Sequence, residues 1–134
     1  MKEKLFILIA CVLLMIECQP KNSTKSRLEQ RVNKYHEHLI KGEYGLSWDF
    51  LWHDAKRRRN RDEWVLFCQK SDLDDKLIEF KIKSISISKV EKQIYLAKVK
   101  LIGKYMIIKQ NKIESGEGED EWVFENGDWF RYID

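Results

Sequence analysis

The hydrophobic pattern changes its period once, near residue 76, and no other feature of the chain limits the fold as much. Before it, apolar residues recur at helical spacing. Leu28, Val32, Tyr35 and Leu39 stand at i, i+4, i+7 and i+11, one face of an α-helix. After it, Ile78, Phe80 and Ile82 alternate with charged residues, the period of a half-buried strand. Helices first and antiparallel strands after is the order of an α+β domain.

The spacing also predicts where elements begin and end. Ser26 followed by Glu29 has the spacing of a capping box, and Gly42 is placed to end the first helix in a left-handed conformation. Tyr44, Trp48, Leu51 or Trp52, and Ala55 share one face of a second helical stretch. Asn60 caps a third helix with Glu63 at its third position, and that helix offers Trp64, Phe67 and Cys68 to the interior. Residues 71–75 read as a loop. In the first strand the alternation slips by one at Lys83 and Ser84 and resumes at Ile85 and Ile87, as a bulge would produce. Tyr95, Ala97, Val99 and Leu101 mark the next strand, after a turn near residues 91–93. Residues 105–108 continue it past Gly103 or start another. The run ESGEGEDE over 114–121 reads as an exposed hairpin loop from its Gly and acid content. Residues 122–125 and 128–133 form a closing hairpin around Asn126-Gly127, a pair that suits a turn needing positive φ at both positions.

The 134 residues allow one domain, and 43% hydrophobic content gives it a core without disulfide staples. The N-terminus stands apart. Residues 5–16 are an unbroken apolar run of twelve. A membrane-spanning helix needs about 20, whereas a signal-peptide core needs about 7–15. A polar stretch follows, holding Cys18 and the chain's single proline. A cysteine in this place resembles the lipid-attachment site of bacterial lipoproteins, which implies processing before Cys18 and acylation of its new amino terminus. Glu17 stands where that pattern has a small residue. The tetrapeptide ending at Cys11 fits the residue pattern better but leaves a core of only residues 5–10. Cleavage elsewhere, or a retained signal, are the alternatives. The expected organisation is a signal segment over 1–18, a tether over 19–25 and one α+β domain over 26–134. The expected location is the bacterial cell envelope, membrane-anchored. Cleavage leaves Cys68 without a cysteine partner inside the domain.

The stretch KYHEHLIKGEYGLSWDFL, the short helix carrying Arg-Asp-Glu-Trp-Val, and the ending EWVFENGDWFRY together resemble the nuclear transport factor two-like superfamily over residues 26–134. The resemblance implies a cone, with a curved antiparallel sheet wrapped around N-terminal helices and often a pocket between them. That fold serves enzymes, transport factors and dimerisation modules, so it does not settle function. Enzymes of the superfamily use a pocket Asp or His as general base, with Tyr or Asp as hydrogen-bond donor. The candidates here are His36, His38, His53, Asp49 and Asp54, all expected as solvated helix residues. His36 and His38 lie two apart on a helix, about 200° around its axis, too far to share a metal or act together. No residue matches a family catalytic position closely enough to inherit its role.

Two further features remain. Lys56, Arg57, Arg58, Arg59 and Arg61 form the densest basic run, expected as a solvated loop between helices. Its functional alternative is contact with an anionic lipid surface; nucleic acid does not suit an exported protein. Tyr35, Trp48, Trp52 and Trp64 fall at helical spacing, expected as core and, where the cone is open, as the lining of an apolar pocket. No zinc spacing, calcium loop or phosphate-binding glycine loop is present, and no cofactor is expected. The functional expectation is a non-enzymatic module for a small molecule or an envelope protein, with a homodimer as a candidate assembly. The alternative is an isomerase or dehydratase-type enzyme of the same superfamily.

Overall fold

The computed structural model describes residues 24–134. The signal segment, Cys18 and most of the tether lie outside the described residues. Among the described residues, four α-helices, α1 (Lys25–Ile40), α2 (Tyr44–Trp48), α3 (His53–Arg58) and α4 (Arg61–Ser71), precede four strands. The strands are β1 (Asp75–Glu91), β2 (Ile94–Ile107), β3 (Lys112–Glu125) and β4 (Asp128–Tyr132), joined as an antiparallel sheet of order β1-β2-β3-β4. The fold class is α+β, with the helices packed on one face of the sheet.

Local chemistry explains most boundaries, and two differ from the sequence reading. α1 is capped by Thr24 rather than Ser26: the Thr24 hydroxyl accepts the Arg27 N–H at 3.2 Å, which starts the helix earlier. Gly42 follows it at φ +73°. The stretch from Tyr44 to Ala55 is not one helix. Leu51 makes a parallel bridge to Arg131, whose N–H donates to the Phe50 carbonyl at 2.7 Å and whose carbonyl accepts the Trp52 N–H at 2.9 Å. Those backbone groups serve the sheet and cannot also serve a helix. α4 has the capping box that Asn60 and Glu63 predict, with both reciprocal bonds made.

The sheet contains the bulge expected at Lys83 and two more, near Ile78 and Val90, each a point where a strand bends and twists. β2 runs without interruption past Gly103. The larger correction concerns residues 114–121. They are not a loop but the middle of β3, paired with the lysine-bearing strand β2. Lys83 reaches Glu117 at 2.6 Å, and Lys98 reaches Glu119 at 3.6 Å. Facing lysines neutralise an acidic segment that composition alone assigns to solvent. The turn before it is made by Asn111 at φ 46°, not by the glycines.

Trp122, Phe124 and Trp129 are buried against Leu28, Val32 and Leu51. Phe67 is not interior: it is 48% exposed. Trp64 and Cys68, at i and i+4, take the inward stripe of α4. Phe67 instead stacks on Trp64 with ring centroids 5.6 Å apart and lies under the Arg59 guanidinium at 4.1 Å.

Candidate functional site: a cavity between α1, α4 and the sheet

The inward-facing row of β2 and β3 loses bulk toward one end. Ala97 opposes Trp122 and Tyr95 opposes Phe124, but Leu101 opposes Gly118 and Gly103 opposes Gly116. Near this thinner end a cavity of about 280 Å³ opens between helices and sheet. Tyr35, His36 and Leu39 of α1 form one wall, and Trp64, Phe67 and Cys68 of α4 another. Leu77, Tyr105, Asp120 and Arg131 form the sheet side, with Tyr44, Ser71, Asp72 and Asp75 also on the lining. Tyr105 lies so close over Gly103 that a Cβ there would come within 2.7 Å of its ring. Glycine at 103 is what lets the ring lie down.

A buried polar cluster joins α1 to the sheet. His36 Nε2 is 2.8 Å from Asp120 Oδ2, and Arg131 Nη2 donates to Asp120 Oδ1 at 3.0 Å. Both carboxylate oxygens are engaged. Burial alone would raise the Asp120 carboxyl, but the His36 hydrogen bond and the Arg131 charge outweigh it and hold the group below the usual carboxylate range. An ionised Asp120 only accepts, so the His36 Nε2 carries hydrogen, and in the neutral ring Nδ1 holds the lone pair. Tyr35 and Phe80 pack on the imidazole at centroid distances of 5.1 and 4.8 Å. His36 Nδ1 and Arg131 Nε are buried with no hydrogen-bond partner. Elsewhere on the lining, the Tyr44 hydroxyl donates to Asp72. Burial and that bond push Tyr44 up to about 12. Burial also pushes the Cys68 thiol up to about 12, which keeps it protonated and a poor nucleophile.

The structure distributes the sequence candidates unevenly. His36 and His38 are not solvated: they are 7% and 8% exposed. As their spacing requires, they face different partners, His36 the sheet and His38 the Glu43 carboxylate at 2.6 Å. His53 is half-exposed, 3.4 Å from Asp54 and 3.8 Å from Glu125. Asp49 is exposed, and Asp54 pairs with Arg57. Of these five, only His36 lines the cavity. Asp120 was missed because it sits in a run that reads as a loop. Read as a strand, the same run puts Asp120 on the face of Trp122, two residues on, and so toward the helices.

The aromatic and basic residues divide in the same way. Tyr35 and Trp64 line the cavity; Trp48 and Trp52 do not. Trp48 Nε1 donates to the Arg59 carbonyl at 3.1 Å, under Lys56. Trp52 donates to Glu125 at 2.8 Å and packs between His53 and Tyr132 at the surface. The basic run is not a free loop, since Lys56, Arg57 and Arg58 end α3. Arg58 donates to the Ile133 carbonyl and Arg61 to the Gly45 carbonyl at 3.0 Å, so tertiary acceptors hold much of it. Among the described residues, no group of three His, Cys, Asp or Glu could hold a metal ion, and no helix is long and apolar enough to cross a membrane.

No family model and no curated protein matches the chain. Solved structures do. The β subunit of benzoate 1,2-dioxygenase from Burkholderia mallei superposes with a TM-score of 0.55 at 7% identity, covering 83% of this chain and 91% of that one. A Xanthomonas campestris protein described as a calcium/calmodulin dependent protein kinase II association domain gives 0.56 at 10% identity, covering 85% and 87%. At such identities the likeness is one of fold. The chain has the nuclear transport factor two-like fold, an antiparallel sheet cupping its N-terminal helices.

Proposed function

We propose that this domain is a non-enzymatic binding module of the cell envelope, tethered by a lipid on Cys18, that takes a small, largely apolar ligand into the cavity between α1, α4 and the sheet. One observation carries the choice of binding over catalysis. Asp120, the buried carboxylate of the cavity, already has both oxygens bonded, by His36 and by Arg131. Those bonds and the Arg131 charge stabilise its ionised form and hold its carboxyl below the usual range, which makes it a weak base. The walls are aromatic and aliphatic with a few converging polar groups, the make-up of a ligand pocket, and about 280 Å³ is the size for a small molecule. The test is calorimetric titration of the detergent-solubilised full chain with small aromatic compounds, beside a Ser71→Trp variant that obstructs the lining from the end of α4. Binding in the wild type that the variant loses supports the reading. Binding that the variant keeps, or no binding by any compound, overturns it. The anchor is tested separately by mass spectrometry of the membrane fraction. A chain beginning at an acylated Cys18 supports it, and an intact Met1 sinks it.

A second reading is favoured by one atom. Asp120 fixes the tautomer of a neutral His36 ring, so the unpartnered Nδ1 is then a base held in place by a carboxylate, on a lining it shares with Tyr105. In that reading the protein is an isomerase or dehydratase that removes a proton next to a carbonyl. Deuterium exchange into 1,3-dicarbonyl probes, followed by NMR, separates the two. Exchange that His36→Gln abolishes would replace the binding reading.

A further inference from the structure

The charge around the cavity is one-sided. Among the ionisable residues of its lining, Arg131 and Asp120 cancel as a contact pair 3.0 Å apart. That leaves Asp72 and Asp75 without a compensating cation on the lining. Asp72 already accepts the Tyr44 hydroxyl, and a carboxylate has room for more than one donor. Arg59, which is not on the lining, holds its guanidinium over the Phe67 ring at 4.1 Å. Lys109, which is not on the lining, pairs with Asp74 at 2.8 Å and also feels the Asp75 charge.

The walls add to this. Tyr35, Tyr44, Trp64 and Tyr105 bring aromatic rings to one small space, and the faces of such rings attract cations, most strongly where water is excluded; the Phe67 ring is already taken by Trp64 and Arg59. The third observation is independent of charge. His36 lines the cavity, is more than nine-tenths buried, and has no partner on Nδ1. With Nε2 committed to Asp120, that atom in the neutral ring accepts from a hydrogen-bond donor. An ammonium group offers three donors and no acceptor.

We infer that the cavity selects a cationic amine, a compact aromatic or aliphatic body carrying one ammonium group, against neutral and anionic molecules of the same shape. This rests on the cavity being the binding site. The amine sits between the Asp72 and Asp75 carboxylates and the aromatic walls, its N–H groups within the reach of acceptors and its body among Tyr35, Leu39 and Trp64.

Three probes of one shape test it: 2-phenylethylamine, 2-phenylethanol and phenylacetate, titrated calorimetrically against the full chain in detergent. The expected order is amine, then alcohol, then acid, with the amine at least tenfold tighter than the acid. The double variant Asp72→Asn, Asp75→Asn should lose most of that preference while still binding the alcohol. If the alcohol or the acid binds as tightly as the amine, and Ser71→Trp abolishes that binding, the charge inference falls and the cavity reading stands. If all three bind Ser71→Trp as they bind the wild type, or none binds the wild type, both fall. A preference that survives the double variant also overturns the inference, because the carboxylates would not be its source. Melting curves of each variant in buffer alone show that a lost preference is not lost folding.

Discussion

The two ends of the β2–β3 pair differ in what faces inward, and that difference sets where a ligand could go. At one end Trp122 and Phe124 of β3, opposite Ala97 and Tyr95, pack with Trp129 into a closed core. At the other, Gly116 and Gly118 oppose Gly103 and Leu101, and a Cβ added at Gly118 would meet nothing within 4 Å. Between them stands Asp120, opposite Val99. Both ends belong to the same strands in the same register. Side-chain volume alone makes one a core and the other the edge of a cavity.

The hardest blow to that arrangement is at the boundary. Asp120→Ala leaves His36 and Arg131 buried without their shared acceptor, so it should destabilise the domain by about 3–5 kcal/mol, the cost of breaking a buried charged pair. Urea unfolding measures it, and a loss under 1 kcal/mol would show that the cluster does not hold α1 to the sheet. Next come the two glycines of the open end. Gly103→Ala pushes the new Cβ into the Tyr105 ring and should cost about 1 kcal/mol as the ring is displaced. Gly118→Ala has empty space before it and should be neutral or stabilise by about 0.4–1 kcal/mol through the unfolded chain. Equal effects at the two positions would erase the contrast. At the closing hairpin, Asn126 and Gly127 have φ of 52° and 87°, so Gly127→Val should cost about 1 kcal/mol or more by forcing a β-branched residue into that region. An unchanged melting midpoint would refute the strained turn.

Acid should act at the same boundary. The Asp120 carboxyl is held below its unfolded value, which is near 3.9. Its contribution is therefore fully present above about pH 4 and is lost as pH falls through the folded value. Asp128, lowered by Arg27 despite partial burial, adds in the same direction. Chemical unfolding between pH 7 and 3 should show stability falling below about pH 4, with a shallower fall in Asp120→Asn. An identical profile in the variant would remove Asp120 from the acid response. The smallest effect belongs to the basic run. Replacing Arg57, Arg58 and Arg59 with Gln should leave vesicle co-sedimentation unchanged and cost only about 0.5–1 kcal/mol, chiefly the Arg59–Phe67 contact. Salt-sensitive vesicle binding that the substitutions abolish would instead make this run a membrane contact.

Features carried by neighbours in sequence were legible from the sequence. The period change near residue 76, the Asn60–Glu63 capping box, the bulge at Lys83 and the turn at Asn126-Gly127 are each decided within a few residues. The site was not legible, because its pieces are far apart: His36 and Asp120 are separated by 84 positions. No local signal marks a helix histidine as buried when its partner lies in a segment that reads as a loop. The same cause misplaced the acid run. ESGEGEDE becomes a strand only once β2 supplies lysines alongside it and Lys83 of β1 reaches across, a fact of register rather than composition. Trp48 and Trp52 shared helical spacing with Tyr35 and Trp64, yet the Leu51–Arg131 bridge broke their helix and turned them away from the cavity.

The acidic half of β3 has one more consequence. β4 pairs only with residues 121–125 of that strand, so among the described residues the backbone of 112–120 has a neighbour on one side only. A long edge with unpaired backbone is an invitation for another chain to add itself and grow into an aggregate. Glu114, Glu117 and Glu119 sit along that edge and are exposed. They pair there with Lys112, Lys83 and Lys98, and an edge lined with charged side chains that pairing would have to desolvate discourages sheet growth. The charges that disguise this segment as a loop thus guard the edge against another chain.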